Sequence, residues 1–458
     1  MKSLQSPRNP ASRNPASRGS ALIITLWVAF GLVSLALYFG NSSSLDLRVA
    51  SNVTASMEAA HAIDGAARYA VLLLTKLDQP GVLPDIKTYQ HDAVPVGDAT
   101  FWYIGRDDRQ SQITTDLPYF ALVDEASKLD LNTATAAMLE LLPRMTPQLA
   151  AAIVDWRDTD SDISDQGAED EAYLRRNPSY HCKNAPFESI DELRMVYGAD
   201  PEILYGEDLN RNGILDLNEN DGAASLPVDD RNGRLDPGIL EYVTVASPEP
   251  LTTTNGTRRI NVQVAGFAQP LAAVLNASLG SSRANEILAR FGGPGTRFNS
   301  VLEFFARSGM TLDEFAAIEA DVYSAPGNNA PTGLVNVNTA SEVVLGCIPG
   351  IGAQLASSLV AYRQSNPSRL NTVAWAAEIL GAQNIPRAGR FLTGRSYQFS
   401  ADIAALGPLG RGYRRTRFVF DLAEGAPRIR YRQDLTDLGW ALGKAARLQQ
   451  KQLAMNSR

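Results

Sequence analysis

The sequence has 458 residues, enough for two to four domains, and its 45% apolar and 20% charged residues are typical of a globular protein with a substantial core. Its formal net charge is −8, and this excess of acidic residues argues against a polyanionic partner such as nucleic acid. Two cysteines, Cys182 and Cys347, are too few for a disulfide scaffold; they either form a single bridge or remain free.

An uncharged apolar run lies close to the N-terminus. Its most apolar part, residues 21–38, would span roughly 27 Å as a helix, close to the hydrocarbon thickness of a bilayer. The run is longer than the core of a secretory signal, and residues 38–41 form a poor signal-peptidase site. Basic residues and no acid precede it, so we expect a single-pass anchor with its N-terminus in the cytoplasm and the rest of the chain exported.

Helical spacing of apolar residues continues over 46–77, which predicts one long helix running from the membrane into a globular domain. Five later segments have the composition of strands, and residues 423–427 fit a hairpin turn between the last two. The predicted strands are 99–107, 118–126, 396–406, 413–422 and 427–434. We therefore predict an α+β fold in which a sheet packs on the long helix and a large helical segment interrupts the sheet.

The helical segment contains an internal repeat. Residues 132–157 align without a gap with residues 338–363, and ten of the 26 pairs are identical. A weaker third copy begins at residue 260, and repeats of this length indicate small helical units. The turn at 349–352, "PGIG", resembles the helix-hairpin-helix motif, whose turn amides can contact a DNA phosphate. This leaves a membrane-anchored, competence-like DNA-binding protein as the alternative; the loss of both glycines from the first copy and the acidic charge favour a hairpin that only packs helices.

The stretch 208–219, "DLNRNGILDLNE", matches a calcium-binding EF-hand loop at nearly every ligand position. Its oxygen donors suit Ca²⁺ better than a transition metal, which would favour His or Cys. The alternative is an Asn/Asp/Gly-rich turn with no ion. The candidate ligands are Asp208, Asn210, Asn212, the carbonyl of Ile214, Asp216 and Glu219.

Two further acidic stretches are candidates for a second ion. Residues 229–242 repeat the pattern in a degenerate form, because Val228 occupies the first ligand position. Residues 155–174 hold many carboxylates, which repel one another unless a cation or solvent intervenes. The candidates are Asp230, Asn232 and Asp236 in the first stretch and Asp158, Asp160, Glu169 and Asp170 in the second.

The sequence carries none of the arrangements expected of a catalytic centre. The three histidines are scattered, and neither a nucleophile elbow nor a nucleotide-binding fingerprint is present. We therefore predict that the protein is not an enzyme.

A short basic leader that ends in glycine before an uninterrupted apolar helix resembles the N-terminus of type IV pilins and pseudopilins. The resemblance implies that a prepilin peptidase cuts between Gly19 and Ser20 and that the new first residue is methylated. Most members carry Glu at the fifth mature position, which is Ile24 here. An unpaired carboxylate is costly in a bilayer. In these filaments the Glu is expected to neutralise the N-terminal amine of the neighbour ahead. A subunit with no neighbour ahead has no such amine to neutralise, so Ile24 suggests a filament tip or no filament at all.

Three more stretches, "LVDEASKLDLNTA" (122–134), "GAED…Y…NxPFxSIxEL" (167–193) and "VNVNTASEVVLGCIPGIG" (335–352), extend the resemblance to the protein K family of type II secretion systems (GspK). That family implies a pilin-like fold, α+β, with a long N-terminal helix packed on an antiparallel sheet and a large inserted α-helical domain of helix-hairpin-helix or SAM-like repeats. It also implies calcium in the insert. Its members are minor pseudopilins that initiate or cap the tip of the periplasmic pseudopilus with two other minor pseudopilins.

The resemblance implies a division of the chain into seven segments. They are a basic leader (1–19), a transmembrane segment (20–40), the continuation of the helix (41–78), the first part of the sheet (79–128), the inserted helical domain (129–390), the second part of the sheet (391–435) and a C-terminal tail (436–458).

We therefore expect a protein that supports export across the outer membrane of a Gram-negative-type envelope. It would sit in the inner membrane with its C-terminal domain in the periplasm. The expected partners are other minor and major pseudopilins, the prepilin peptidase and the membrane, with Ca²⁺ bound and with no small-molecule substrate or nucleic acid.

Overall fold

The computed structural model describes residues 16–107, 113–245, 247–293 and 295–448, so residues 1–15 of the expected leader lie outside it. Within these ranges the α-helices are α1 (Ala16–Thr75), α2 (Ala136–Leu139), α3 (Pro147–Arg157), α4 (Asp170–Leu174), α5 (Pro201–Tyr205), α6 (Ala268–Leu279), α7 (Ser281–Arg290), α8 (Val301–Ser308), α9 (Leu312–Ala316), α10 (Glu342–Gly346), α11 (Gly352–Ser365) and α12 (Ala376–Ala388). The strands are β1 (Val94–Val96), β2 (Ala99–Ile104), β3 (Val123–Asp124), β4 (Leu129–Asp130), β5 (Val243–Thr244), β6 (Ile260–Asn261), β7 (Val322–Tyr323), β8 (Val335–Asn336), β9 (Leu392–Thr393), β10 (Gln398–Leu406), β11 (Arg414–Asp421) and β12 (Arg428–Asp434).

The long helix has two different halves. Residues 21–54 are almost all exposed, and the helix contains an apolar stretch long enough to cross a membrane. From Ala55 onward, one face is buried against the sheet at helical spacing, with side chains that are mostly alanine. The predicted continuous helix is therefore confirmed over the described residues, and it ends at Thr75.

The main sheet is antiparallel, with the described strands in the order β1-β2-β10-β11-β12 and with β3 paired to β10. Strands from both sides of the helical insert thus meet in one sheet, as the sequence predicted. The predicted strand 118–126 is wrong over most of its length, because only Val123–Asp124 is a strand. Asp124 accepts a hydrogen bond from the Ala126 amide and caps a short 3-10 helix, so the chain turns there into the insert.

Small residues let α1 approach the sheet closely. A Cβ on Gly407, directly after β10, would lie 2.1 Å from the Ala55 carbonyl oxygen. The buried Tyr103 hydroxyl in β2 donates to the Ala66 carbonyl at 2.6 Å. The helix and sheet are therefore locked together both by close packing and by a buried hydrogen bond.

The insert is built from three similar units, each closed by a short parallel strand pair in the described chain. The pairs are β4 with β5, β6 with β7 and β8 with β9, and the helices of each unit lie between its two strands. An Asp or Asn in the first strand of each unit accepts a hydrogen bond from the amide two residues later: Asp130, Asn261 and Asn336. This shared turn shows that the weak third copy at residue 260 is structurally equivalent to the other two.

An arginine at the end of the first long helix closes the first and third units. Arg157 donates to the carbonyls of Leu131 and Ala134, and Arg363 donates to the aligned carbonyls of Val337 and Ala340. Arg363 is only 3% exposed. These conserved positions of the internal repeat therefore have a structural role, because each guanidinium satisfies carbonyls at a helix-hairpin junction.

One continuous hydrophobic core runs through all three units of the insert, separate from the core between α1 and the sheet. Cys182 and Cys347 both lie in the insert core as free thiols, so the single-bridge alternative is wrong. Burial raises the pKa of each thiol to about 12, which disfavours the reactive thiolate.

Overpacking the α1–sheet contact tests this arrangement. Ala66→Leu adds volume at a fully buried position and should lower the free energy of unfolding by about 1–3 kcal/mol. Arg68→Leu, on the exposed side of the same helix, is the matched control. Chemical denaturation of the detergent-solubilised full chain measures both, and equal effects of the two substitutions would contradict the helix–sheet packing.

Candidate metal centre

The loop 208–219 has the backbone geometry of a cation-binding loop. The Asp208 carboxylate accepts hydrogen bonds from the amides of Asn212 (3.0 Å) and Gly213 (2.9 Å). Gly213 has φ +69°, a left-handed conformation that glycine adopts without strain. These contacts fold the loop back on its first ligand position, as in an EF-hand.

The side chains at ligand positions three, five and nine converge. The amide nitrogens of Asn210 and Asn212 both lie close to Asp216 Oδ2, at 2.8 and 2.9 Å. Glu219, at position twelve, accepts from the Asp216 amide with one carboxylate oxygen. The loop thus brings these predicted side-chain ligands together, and the predicted carbonyl ligand belongs to Ile214, whose side chain is buried.

The electrostatics of the loop favour a cation. Glu219 is 1% exposed and its Oε1 has no hydrogen-bond partner. Burial, followed by the nearby Asp208 carboxylate, raises the pKa of Glu219 to about 9. Burial also raises the pKa of Asp208. Two buried carboxylates in one loop are unfavourable as anions unless a positive charge is added.

The second loop, 229–242, lies alongside the first but is built differently. The segment 113–115 runs between the two loops. The Leu215 amide donates to the Thr115 carbonyl, and the Leu235 amide donates to the Ile113 carbonyl. Asp230 and Asn232 form an exposed local turn, and Asp236 pairs with Arg144 at 2.9 Å. Asp236 is therefore engaged by an arginine, while Asp230 and Asn232 hydrogen-bond within their own turn.

A second cluster of unpartnered oxygens lies at the end of α3. Asp155, Asp158, Glu169 and Asn184 each have at least one buried side-chain oxygen without a hydrogen-bond partner, and both Glu169 oxygens lack one. Asp155 is 0% and Glu169 4% exposed. Burial, together with the neighbouring carboxylates, raises the pKa of Asp158 and of Glu169. These oxygens therefore have the chemistry of a hard-cation site.

Of the other two predicted residues in this stretch, Asp170 is engaged elsewhere, whereas Asp160 lies beside the cluster and its backbone carbonyl accepts a hydrogen bond from the Asn184 side-chain amide. Asp170 pairs with His181 at 2.8 Å and accepts from the Cys182 amide, and Asp160 accepts from the Asp162 amide. Sequence reasoning missed Asp155 and Asn184. Asp155 lies in α3 one helical turn before Asp158, so spacing alone could have identified it, whereas Asn184 is distant in sequence and reaches the cluster only through the tertiary fold.

Within the part of the chain that the structure describes, no group of three or more His, Cys, Asp or Glu side chains has metal-ligating geometry. The candidate ligands of the loop 208–219 also include asparagine side chains and a backbone carbonyl, which do not belong to these four residue types. The carboxylates of Asp155, Asp158 and Glu169 are thus not in metal-ligating geometry, and the case for a cation at both sites rests on buried, unpartnered carboxylate oxygens.

The raised acid pKa values predict a pH dependence for the metal-free chain. An acid with a raised folded-state pKa keeps a proton that the unfolded chain has lost, so stability falls as the pH rises from about 4.5 to about 9. Glu219→Gln should flatten this fall and raise the melting temperature at pH 9. Thermal unfolding in EDTA from pH 5 to pH 9 measures it, with the exposed Asp165→Asn as control. An unchanged slope in Glu219→Gln would contradict the assigned environment.

The comparisons with known proteins concern parts of the chain. The family model described as type II secretion system (T2SS), protein K matches residues 121–205, which include the Asp155–Glu169 cluster and end before Asp208. A second family model, the helix-hairpin-helix motif, matches residues 331–369. The latter range covers α10 and α11 of the third unit.

Three curated relatives are each called type II secretion system protein K. The protein from Aeromonas hydrophila is 31% identical over 200 residues, 40% of this chain and 60% of the relative. The Pseudomonas aeruginosa protein is 28% identical over 165 residues, 33% and 47% respectively. The Klebsiella pneumoniae protein is 39% identical over 61 residues, 13% and 19% respectively. The chain thus matches between a fifth and three fifths of the length of these relatives.

A solved structure, titled as the GspK-GspI-GspJ complex from enterotoxigenic Escherichia coli, contains a chain that is 11% identical to this one, with a TM-score of 0.37. The match covers 86% of this chain and 98% of the other. The matched family model and the curated relatives agree on one family. Over these parts, the chain is similar to the protein K family of type II secretion systems.

Proposed function

We propose that this protein is a minor pseudopilin that initiates or caps the tip of the periplasmic pseudopilus and thereby supports protein export across the outer membrane. The observation that carries the proposal is the family match at 121–205, within a chain whose long apolar helix packs on an antiparallel sheet. That helix–sheet arrangement supports a pilin-like fold.

The shape of the molecule supports a role at the end of a filament. The exposed half of α1 carries large apolar side chains, including Leu47, Val49, Val53 and Met57, that a bundle of neighbouring helices would bury. The three-unit insert adds a second, larger core beyond the sheet. A subunit with this bulk would block addition of a further subunit above it, and Ile24 suits a subunit with none ahead.

The apolar helix fits a membrane anchor, and similarity to a type II secretion system protein supports a place in the cell envelope. We propose a cytoplasmic N-terminus and a periplasmic C-terminal domain. The side chains of Gly19 and Ser20 lie outside the described residues. Cleavage between them and methylation of Ser20 remain part of the proposal, as does the prepilin peptidase as a partner.

Other minor pseudopilins are the proposed partners. A protein K from enterotoxigenic Escherichia coli has been solved in a complex with GspI and GspJ. Similarity to the same family over residues 121–205 supports equivalent partners for this chain, with major pseudopilins below them.

Export provides the test of the proposed function. In a strain lacking this gene, we expect secreted proteins to accumulate in the periplasm and the full chain to restore their export. Mass spectrometry of the restored protein should show methylated Ser20 as the first residue. Gly19→Leu should block cleavage and fail to restore export, whereas Ser20→Ala should restore it. Normal export in the deletion strain, or an intact Met1 in the active protein, would contradict the proposal.

We also propose that Ca²⁺ binds the loop 208–219 and the cluster of Asp155, Asp158, Glu169 and Asn184. In the loop, Asp208, Asn210, Asn212, the Ile214 carbonyl, Asp216 and Glu219 would hold the ion. Its charge would neutralise the buried carboxylates and so stabilise the loop-rich parts of the insert.

Calcium should therefore stabilise the protein. At a free Ca²⁺ concentration of 100 times Kd, each site adds about 2.7 kcal/mol to the free energy of unfolding. Glu219→Gln and Glu169→Gln should each remove part of the gain, and Asp165→Asn should leave it intact. Thermal unfolding of the full chain in detergent with CaCl₂ and with EGTA measures the gain. A melting temperature that EGTA does not change would contradict the calcium proposal.

The DNA-binding alternative has one supporting observation, the helix-hairpin-helix match at 331–369. Against it, Arg363 is buried and donates to the Val337 and Ala340 carbonyls, so it is not available to a phosphate. Binding to DNA would produce a gel shift that weakens steeply with salt. We expect no shift of duplex DNA by the full chain, even at low salt.

A further inference from the structure

Two arginines, one in the sheet and one just after a strand of it, donate hydrogen bonds to the backbone of the candidate calcium loop. Arg415 in β11 donates to the carbonyls of Asn210 (2.5 Å) and Arg211 (2.8 Å). Arg106, two residues after β2, donates to the carbonyls of Arg211 (3.2 Å) and Asn212 (3.3 Å). Three consecutive carbonyls of the loop are therefore held from the side of the sheet.

Each guanidinium is itself fixed by a carboxylate. Arg415 is fully buried and bidentate to Asp402 of the neighbouring strand β10, at 2.9 and 2.6 Å. Arg106 is bidentate to Glu241 of the insert, at 2.6 and 3.0 Å. Such planar, bidentate pairs leave the remaining N–H groups in a defined direction, which here is toward the loop.

Two of the three carbonyls belong to residues whose side chains are candidate ligands, Asn210 and Asn212. Asn210 and Asn212 direct their amides toward Asp216 on the inner side of the loop, while their carbonyls meet the arginines on the outer side. The packing is tight, since a Cβ on Gly213 would lie 2.6 Å from the Arg106 guanidinium carbon. The backbone conformation that orients the ligands is thus the same one that satisfies the arginines.

We infer that the loop 208–219 is a joint between insert and sheet, in which Ca²⁺ binding and docking of the insert on the sheet stabilise each other. Arg106 and Arg415 are positioning residues: they contact no ion, and they hold the loop in its binding conformation. This inference rests on the calcium proposal above. Because coupling between two equilibria is reciprocal, calcium must favour docking of the insert by the same factor by which docking raises calcium affinity.

Hydrogen exchange and calorimetry of the full chain in detergent test the coupling. Ca²⁺ should slow amide exchange in residues 99–106 and 414–417 by roughly 5–150-fold, the usual range of such couplings. Arg415→Lys and Arg106→Lys keep the positive charge but cannot donate to a carboxylate and two loop carbonyls at once. Each should therefore weaken Ca²⁺ binding by a factor in the same range. Glu219→Gln should abolish the protection of the sheet, and Glu169→Gln should leave it unchanged.

Arg283→Lys is the matched control, because Arg283 also bridges a carboxylate, that of Glu314, and a backbone carbonyl, that of Gly309, far from the loop in sequence. It should alter neither Ca²⁺ affinity nor exchange in the sheet. Calcium binding with unchanged sheet exchange, or with wild-type affinity in both loop-arginine variants, would overturn the joint and leave the calcium proposal standing. Absence of any calcium binding would overturn both.

Discussion

The architecture depends on a buried layer of charge between the sheet and the inserted helical units. Arg417 in β11 pairs with Glu125 at 2.6 Å, and Lys128 lies 3.6 Å from the same carboxylate. Burial alone would raise the pKa of Glu125, but Lys128 and Arg417 lower it well below its usual range. Since an unpaired buried charge is expensive, the layer is stable only when every partner is in place.

This layer fixes where the chain leaves the sheet and where it returns. Asp124, at the exit, accepts hydrogen bonds from Asn336 (2.9 Å) and Thr339 (2.5 Å) of the third unit. Asn336 also donates to Ser396, just before β10. These hydrogen bonds join the start of the insert to its third unit and to the segment that leads into β10. The insert is therefore held to the sheet as one body.

The parts of the fold that sequence predicted well are those with a local signal. The helix 16–75 and strands β10, β11 and β12 are long enough for periodicity, and the internal repeat located the insert. The two-residue strands that close each repeat carry no such signal, and the strand at 118–126 was interrupted by the cap at Asp124. The loop 208–219 was recognisable because all its ligands are close in sequence. Asn184, Arg106 and Arg415 were not, because only long-range packing brings them to their sites.

The central claim is that sheet and insert form one cooperative structure, and hydrogen exchange in increasing denaturant tests it most directly. The amides of β10 in the sheet and of α11 in the insert should reach a common unfolding free energy and a common denaturant slope, since breaking the buried charged layer exposes both. Persistent protection of α11 at denaturant concentrations where β10 already exchanges freely would contradict the account.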